Sequence, residues 1–202
     1  MQDHWGPPEL VHLVSKLSLL ALTHRGLLDG ACARWREWLV PADGATPAAT
    51  VAPRPSSLAQ LALSLARLGR GEAALGVAIC ARLRRALKAG DQSCPPSCVA
   101  GALWGCACML AICRSRAAEA GGTEEEPEAV GALAAGIAAL LRTLLAQSKK
   151  RGLDLTGPSD LAQLHLVNLA LRAVDAAGAA AGSAAGGEAD DVPWRPPEQA
   201  AE

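Results

Sequence analysis

The residues in this chain best equipped for covalent or metal chemistry are its seven cysteines, five of which fall close together. Cys94 and Cys98 stand four apart, and Cys106, Cys108 and Cys113 follow on what reads as a helix. Thiolates at such intervals hold zinc when a second close pair, or two histidines, completes the tetrahedron. That second half is missing, because Cys106 and Cys113 share one helix face while Cys108 points elsewhere. The five read as small buried side chains of a reduced protein, and neither a metal nor a cofactor is expected. His4, His12, His24 and His165 have no neighbouring serine, cysteine or acid in a triad-like arrangement, and no glycine-rich phosphate loop follows a strand. The chain is therefore expected not to be an enzyme.

What remains is non-covalent recognition. Trp35 and Trp38, three apart on one helix face, suit either base stacking or core packing in a chain without Phe or Tyr. Arg84, Arg85 and Lys88 point away from an apolar sector and suit phosphates. They equally suit a solvated face near a helix C-terminus, where the macrodipole favours cations. The formal net charge is -1, but residues 121–128 carry four acids and no base, and 186–202 carry five acids and one base. The rest of the chain is left at +7 by those counts. A positive helical body fits a polyanion such as RNA, and fits an ordinary solvated surface too.

The elements that must position these groups come from a repeated stretch. Residues 55–61 read Pro-Ser-Ser-Leu-Ala-Gln-Leu and residues 158–164 read Pro-Ser-Asp-Leu-Ala-Gln-Leu. Looser copies begin at Pro7-Pro8-Glu9-Leu10 and at Pro95-Pro96-Ser97. In the copy at 55–69, a serine after proline predicts a side-chain cap on the first helical turn. Leu58, Leu61, Leu65 and Leu68 then form one stripe, with Gln60, Ser64 and Arg67 opposite. Gly69 predicts the end. Aligned apolar residues lie 48, 41 and 62 positions apart, and removing a Gly and Glu-rich insertion brings the last interval back toward the roughly forty residues of two-helix repeats.

Helix pairs are expected near 7–40, 55–89, 96–150 and 158–176, with an acidic insertion at 117–128 and an Ala/Gly/Pro-rich flexible tail at 177–202. The helix from Ser97 is apolar nearly all round and should be the most enclosed. Val99–Cys113 and Ala129–Leu141, the longest apolar runs, are shorter than a bilayer requires, so no membrane span is expected. No transit peptide is visible at the start. Equivalent positions on the first helices form two columns: His12, Gln60, Gly101 and Gln163, then Lys16, Ser64, Gly105 and Val167. Their polar members suit base edges if first helices line a concave surface. His165 reads as a hydrogen-bonded side chain at a helix contact, and Asn168 as half-buried.

Residues 55–69 resemble the helix of octotricopeptide (OPR) repeats, related to the helical repeats of FAST-kinase-like and RAP-domain organellar proteins and of the trypanosome RNA-editing substrate-binding complex. The Pro-Pro-Glu at 7–9 matches the start of algal members, and the likeness covers most of residues 7–176. It implies an α-solenoid that binds organellar RNA in its stability, processing or translation, in mitochondrion or chloroplast, or serves within a mitochondrial ribosome. The expectation is thus an all-α array of about four helix pairs, non-catalytic, with single-stranded RNA as partner and protein subunits of a ribonucleoprotein as further partners. RNA contacts are expected from Lys16, Gln60, Arg67 and Gln163, with Arg84, Arg85 and Lys88 on phosphates in one cationic groove. The alternative is a protein-interaction scaffold.

Overall fold

The computed structural model describes residues 5–39, 53–120, 125–151 and 157–185, with side chains described for all of these except 120, 125–127, 151 and 174–185. Among the described residues every regular element is helical: α1 (Pro7–Leu19), α2 (Arg25–Leu39), α3 (Pro55–Arg67), α4 (Ala73–Ala89), α5 (Pro96–Ala120), α6 (Glu125–Arg151) and α7 (Pro158–Ala185).

The proline-led starts are where the sequence puts them, but the capping differs. In α1 and α3 a proline occupies the first turn and no side chain caps the helix; Gly6 and Arg54 are the cap residues. Proline needs no partner for an amide it lacks, and its fixed φ is already helical. Ser56 and Ser57 consequently sit inside the first turn of α3. At the other end Gly69 has φ +66°, and the Arg70 N–H reaches the Leu65 carbonyl at 2.9 Å, as in a left-handed helix stop. α1 ends in the same way without glycine: Ala21 has φ +52° while the Leu22 N–H meets the Leu17 carbonyl.

The helices form two layers. α1, α3, α5 and α7 lie side by side in one layer, and α2, α4 and α6 lie side by side in the other, each first helix packing on the second helix of its own pair where both are described. α3 and α5 run in the same direction, as do α4 and α6. Leu63 lies over Gly101 near the middle of the α3–α5 contact, and Arg116 bonds the Gly69 carbonyl at 2.9 Å near their C-terminal ends. In the second layer Leu133 covers Gly76, and one turn further Gly136 faces Cys80.

One continuous core runs between the layers. It takes Leu58, Leu61, Leu65 and Leu68 from α3, Leu75, Ile79, Leu83 and Leu87 from α4, and Leu133, Ile137, Leu140 and Leu144 from α6. α5 is enclosed over its first half, with Val99, Leu103, Cys106, Met109 and Leu110 all buried, but α3 is enclosed at least as fully along its length, so the expected ranking does not hold. Trp35 is wholly buried in that core, and Trp38 meets it edge to face at 5.4 Å between centroids. The pair therefore packs rather than offering a stacking platform.

Several boundaries differ from the sequence expectation. α5 runs to Ala120 and α6 starts at Glu125, so helix claims most of the 117–128 insertion; residues 121–124 lie outside the described residues. α7 runs on to Ala185 through alanines of high helix propensity, where a flexible tail is expected from 177. Residues 186–202, the rest of that tail, lie outside the described residues. The helices holding the two apolar runs are longer than the runs themselves. By length and composition alone, Pro96–Glu119 and Glu128–Lys150 could each cross a bilayer; 61% of the first span is buried in the packing, against 22% of the second.

Candidate nucleic-acid interface

Lys16, Gln60 and Arg67 are exposed on the outer side of the first-helix layer, and α1 touches α3 there. The Gln60 amide nitrogen donates to the Ser15 hydroxyl at 2.9 Å, so half of that side chain already ties the two helices together. Gln163 is two helices away and half-buried, with its carbonyl oxygen enclosed and without a hydrogen-bond partner. Arg84, Arg85 and Lys88 are exposed, but on α4 in the other layer. The expected single groove is thereby corrected to two separate surfaces, because the buried face of α4 turns toward α3 and α5 and its cations turn away from them.

The second column of the sequence reading is also corrected. Ser64 is only 3% exposed, and Gly105 and Val167 are buried. A Cβ on Gly105 would come within 2.6 Å of the Ala62 carbonyl carbon. These positions are where one first helix stacks on the one before it, and side chains there are enclosed by the neighbour. Lys16 alone remains exposed, since α1 has no helix on that side among the described residues. In the first column Gly101 is likewise buried under Leu63. His165, expected at a helix contact, is exposed, and Asn168 is half-buried as expected.

The cations of α4 acquire neighbours that the sequence reading left aside. The contacts of Gly76 with Leu133 and of Cys80 with Gly136 set the register of α4 against α6. That register places Arg85 about level with Arg142, and Lys149 and Lys150 about a turn beyond Lys88. All six cations, Arg84, Arg85, Lys88, Arg142, Lys149 and Lys150, are exposed. Neither 73–89 nor 129–150 contains a single acid. Among the described residues the ion pairs lie elsewhere: Arg25 with Asp29, Arg34 with Glu37, and Arg70 with both Asp29 and Glu72. The acid-free stretches were visible in the sequence as composition; that they lie side by side was not.

A second arginine cluster behaves differently. A cavity of about 420 Å³ at the ends of α3 and α5 is lined by Arg25, Arg70 and Arg116 with Thr23, Leu28 and Leu68. Arg70 is held by Asp29 and Glu72, and Arg116 donates to the Gly69 carbonyl. These guanidinium groups tie connections together and have less left to offer an anion.

Five of the cysteines, Cys32, Cys94, Cys98, Cys106 and Cys108, are held as thiols by their surroundings. Burial pushes Cys32 up to about 12, Cys94 to about 12 with the neighbouring Cys98 and Asp91 adding to it, and Cys98 to about 11. A hydrogen bond with Cys80, together with complete burial, holds Cys106 well above its usual range. Among the described residues no three His, Cys, Asp or Glu side chains are placed to hold a metal ion. Comparison of the chain with protein-family models, with curated proteins and with solved structures finds no match in any of the three.

Proposed function

We propose that the chain is an α-solenoid that binds single-stranded RNA without catalysis, the phosphate backbone lying across the second-helix layer. The observation that carries this reading is the uncompensated ridge of Arg84, Arg85 and Lys88 on α4 beside Arg142, Lys149 and Lys150 on α6. Arg25, Arg34 and Arg70 are drawn into ion pairs; here six cations face solvent on two adjacent parallel helices. Packed helices lie about 8–10 Å apart, close enough for one strand to meet both. Lys16, Gln60 and Arg67 form a smaller polar surface on the opposite layer, outside the main phosphate track. Two parallel layers of proline-led pairs support the solenoid reading, and the likeness to OPR-type helices supports RNA and an organellar setting. α6, with its leucine side against α4 and α5 and its outer side carrying three cations, is a packed helix rather than a membrane span.

Single-stranded RNA binding measured across salt tests this. Six phosphate contacts predict a slope of log K against log salt of about -4, and hence a loss of about 300-fold between roughly 50 and 200 mM salt. Arg84→Glu with Lys88→Glu should weaken binding and flatten the slope by about 1.4. Retention that ignores salt, or a double variant that binds as well as the parent, refutes the assignment. The second reading, a protein-interaction scaffold or assembly subunit, is favoured by the exposed leucines of α7 and predicts apolar binding with little salt dependence.

A further inference from the structure

Two thiols meet where α4 crosses α5. A Cβ on Gly76 of α4 would lie 3.5 Å from the Met109 Cε of α5. One turn along α4 from Gly76 is Cys80, and one turn back along α5 from Met109 is Cys106. The Cys80 and Cys106 thiols share a hydrogen bond, as two helices running in opposite directions require. They stand 26 positions apart in the chain, on the second helix of one pair and the first helix of the next.

The site is dry. Cys80 is 2% exposed and Cys106 0%, and Ile79, Leu83, Leu103 and Ile137 are buried in the same core. The groups that act on Cys106 are themselves thiols, Cys80 and Cys108. A thiolate, or the anionic dithiolate of a bound metal, would stand there as an unpaired buried charge. A disulfide is neutral and suits such surroundings. Sulfurs already in hydrogen-bond contact need only small side-chain rotations to reach the bond length of about 2.05 Å.

We propose that Cys80 and Cys106 form a latent cross-link, a dithiol that a peroxide closes into a disulfide, fastening α4 to α5. The oxidant is small and uncharged, and enters when the core opens locally. One sulfur attacks the peroxide: the O–O bond breaks, an S–O bond forms, and the products are a sulfenic acid and one water. The second sulfur then attacks the first. An S–S bond forms, and the hydroxyl leaves with the second thiol's proton as another water. The two sulfurs lose two electrons in all, and the peroxide oxygens gain them. The bond closes a loop between successive pairs and so restricts the unfolded chain. The inference does not depend on the RNA reading, since it concerns sulfurs inside the core and not the cations outside it.

The test treats the folded full chain with excess hydrogen peroxide, blocks the remaining thiols and digests with trypsin in the absence of reductant. Cys80 is the one cysteine of tryptic residues 71–82, and Cys106 lies in residues 89–114. The expected product joins these two peptides, with fragmentation placing the link at Cys106, and it disappears on treatment with dithiothreitol. The oxidised chain should unfold at a higher urea concentration than the reduced chain and return to the parent midpoint on reduction. Cys106→Ala should lose both the joined peptides and the rise in midpoint. The proposal is overturned if peroxide joins Cys94 to Cys98 or any other pair instead, if it only adds oxygen to single cysteines, or if all thiols survive unchanged. It is equally overturned if the Cys80–Cys106 link forms only in chain unfolded by urea.

Discussion

Adding one methyl group at Gly105 and one at Gly131 should move stability in opposite directions. In a helix interior alanine is better than glycine by about 1 kcal/mol, because glycine loses more backbone freedom on folding. At Gly131, on the exposed side of α6, an added Cβ meets nothing within 4 Å. Gly131→Ala should therefore stabilise by about 0.5–1 kcal/mol. At Gly105 the same carbon would lie 2.6 Å from the Ala62 carbonyl carbon, 2.7 Å from the Leu63 nitrogen and 2.9 Å from the Ala62 Cβ. Carbon atoms in contact prefer about 3.5–4.0 Å, so α5 must draw back from α3 by about 1 Å. Two of the three obstacles are backbone, which cannot turn aside as a side chain end does. Overpacking of this kind costs about 1–3 kcal/mol, which cancels or exceeds the helix gain of about 1 kcal/mol and leaves Gly105→Ala about 0–2 kcal/mol less stable than the parent. Urea unfolding followed by far-ultraviolet circular dichroism measures both variants against the parent. If Gly105→Ala is as stable as Gly131→Ala, the close α3–α5 stacking is not the contact that sets the layer spacing.

Ala21 holds a left-handed conformation with φ +52° on an exposed turn, so Ala21→Gly should stabilise the chain by about 1 kcal/mol in the same assay. At neutral pH the Cys98 thiol, raised from 9.0 to about 11, has a thiolate fraction about a hundredfold below that of a free cysteine. Its alkylation should be slower in the folded chain by about that factor, while all seven cysteines react in denaturant. Cys32, raised from 9.0 to about 12, makes the folded state hold its proton more tightly than the unfolded state does. Its contribution is complete below about pH 9 and falls by about 1.4 kcal/mol for each pH unit above that, toward about pH 12. A urea midpoint that stays constant from about pH 8 to about pH 10 would contradict this.

Much of the helical framework was legible in the residues because its causes are local. Proline at a first-turn position, a leucine recurring every three or four residues, and glycine after the last turn act within a few residues of themselves. They located α3 and α4 closely and marked the proline-led starts of α1, α3, α5 and α7. Caps were misjudged for an equally local reason: proline made the serine caps unnecessary. The end of α7 is helical to Ala185 where its lack of large side chains predicts a flexible tail, because alanine propensity alone favours helix.

What the chain could not state about itself is which side of a helix another helix will cover. Leu58 and Leu161 occupy the same place in the same local sequence, yet one is enclosed and the other half-open, because α3 has α4 and α5 packed on it whereas no later helix packs on α7 among the described residues. Ser64 reads as an outward polar residue by periodicity and is buried because it lies where α3 stacks on the first helix before it. The cations of α4 and α6 are 54 or more residues apart in the chain, and only layer packing brings them onto one surface. Helix, period and terminus follow from short-range sterics and hydrogen bonding, whereas burial and shared charge depend on neighbours distant in sequence, and those exist only once the layers have assembled.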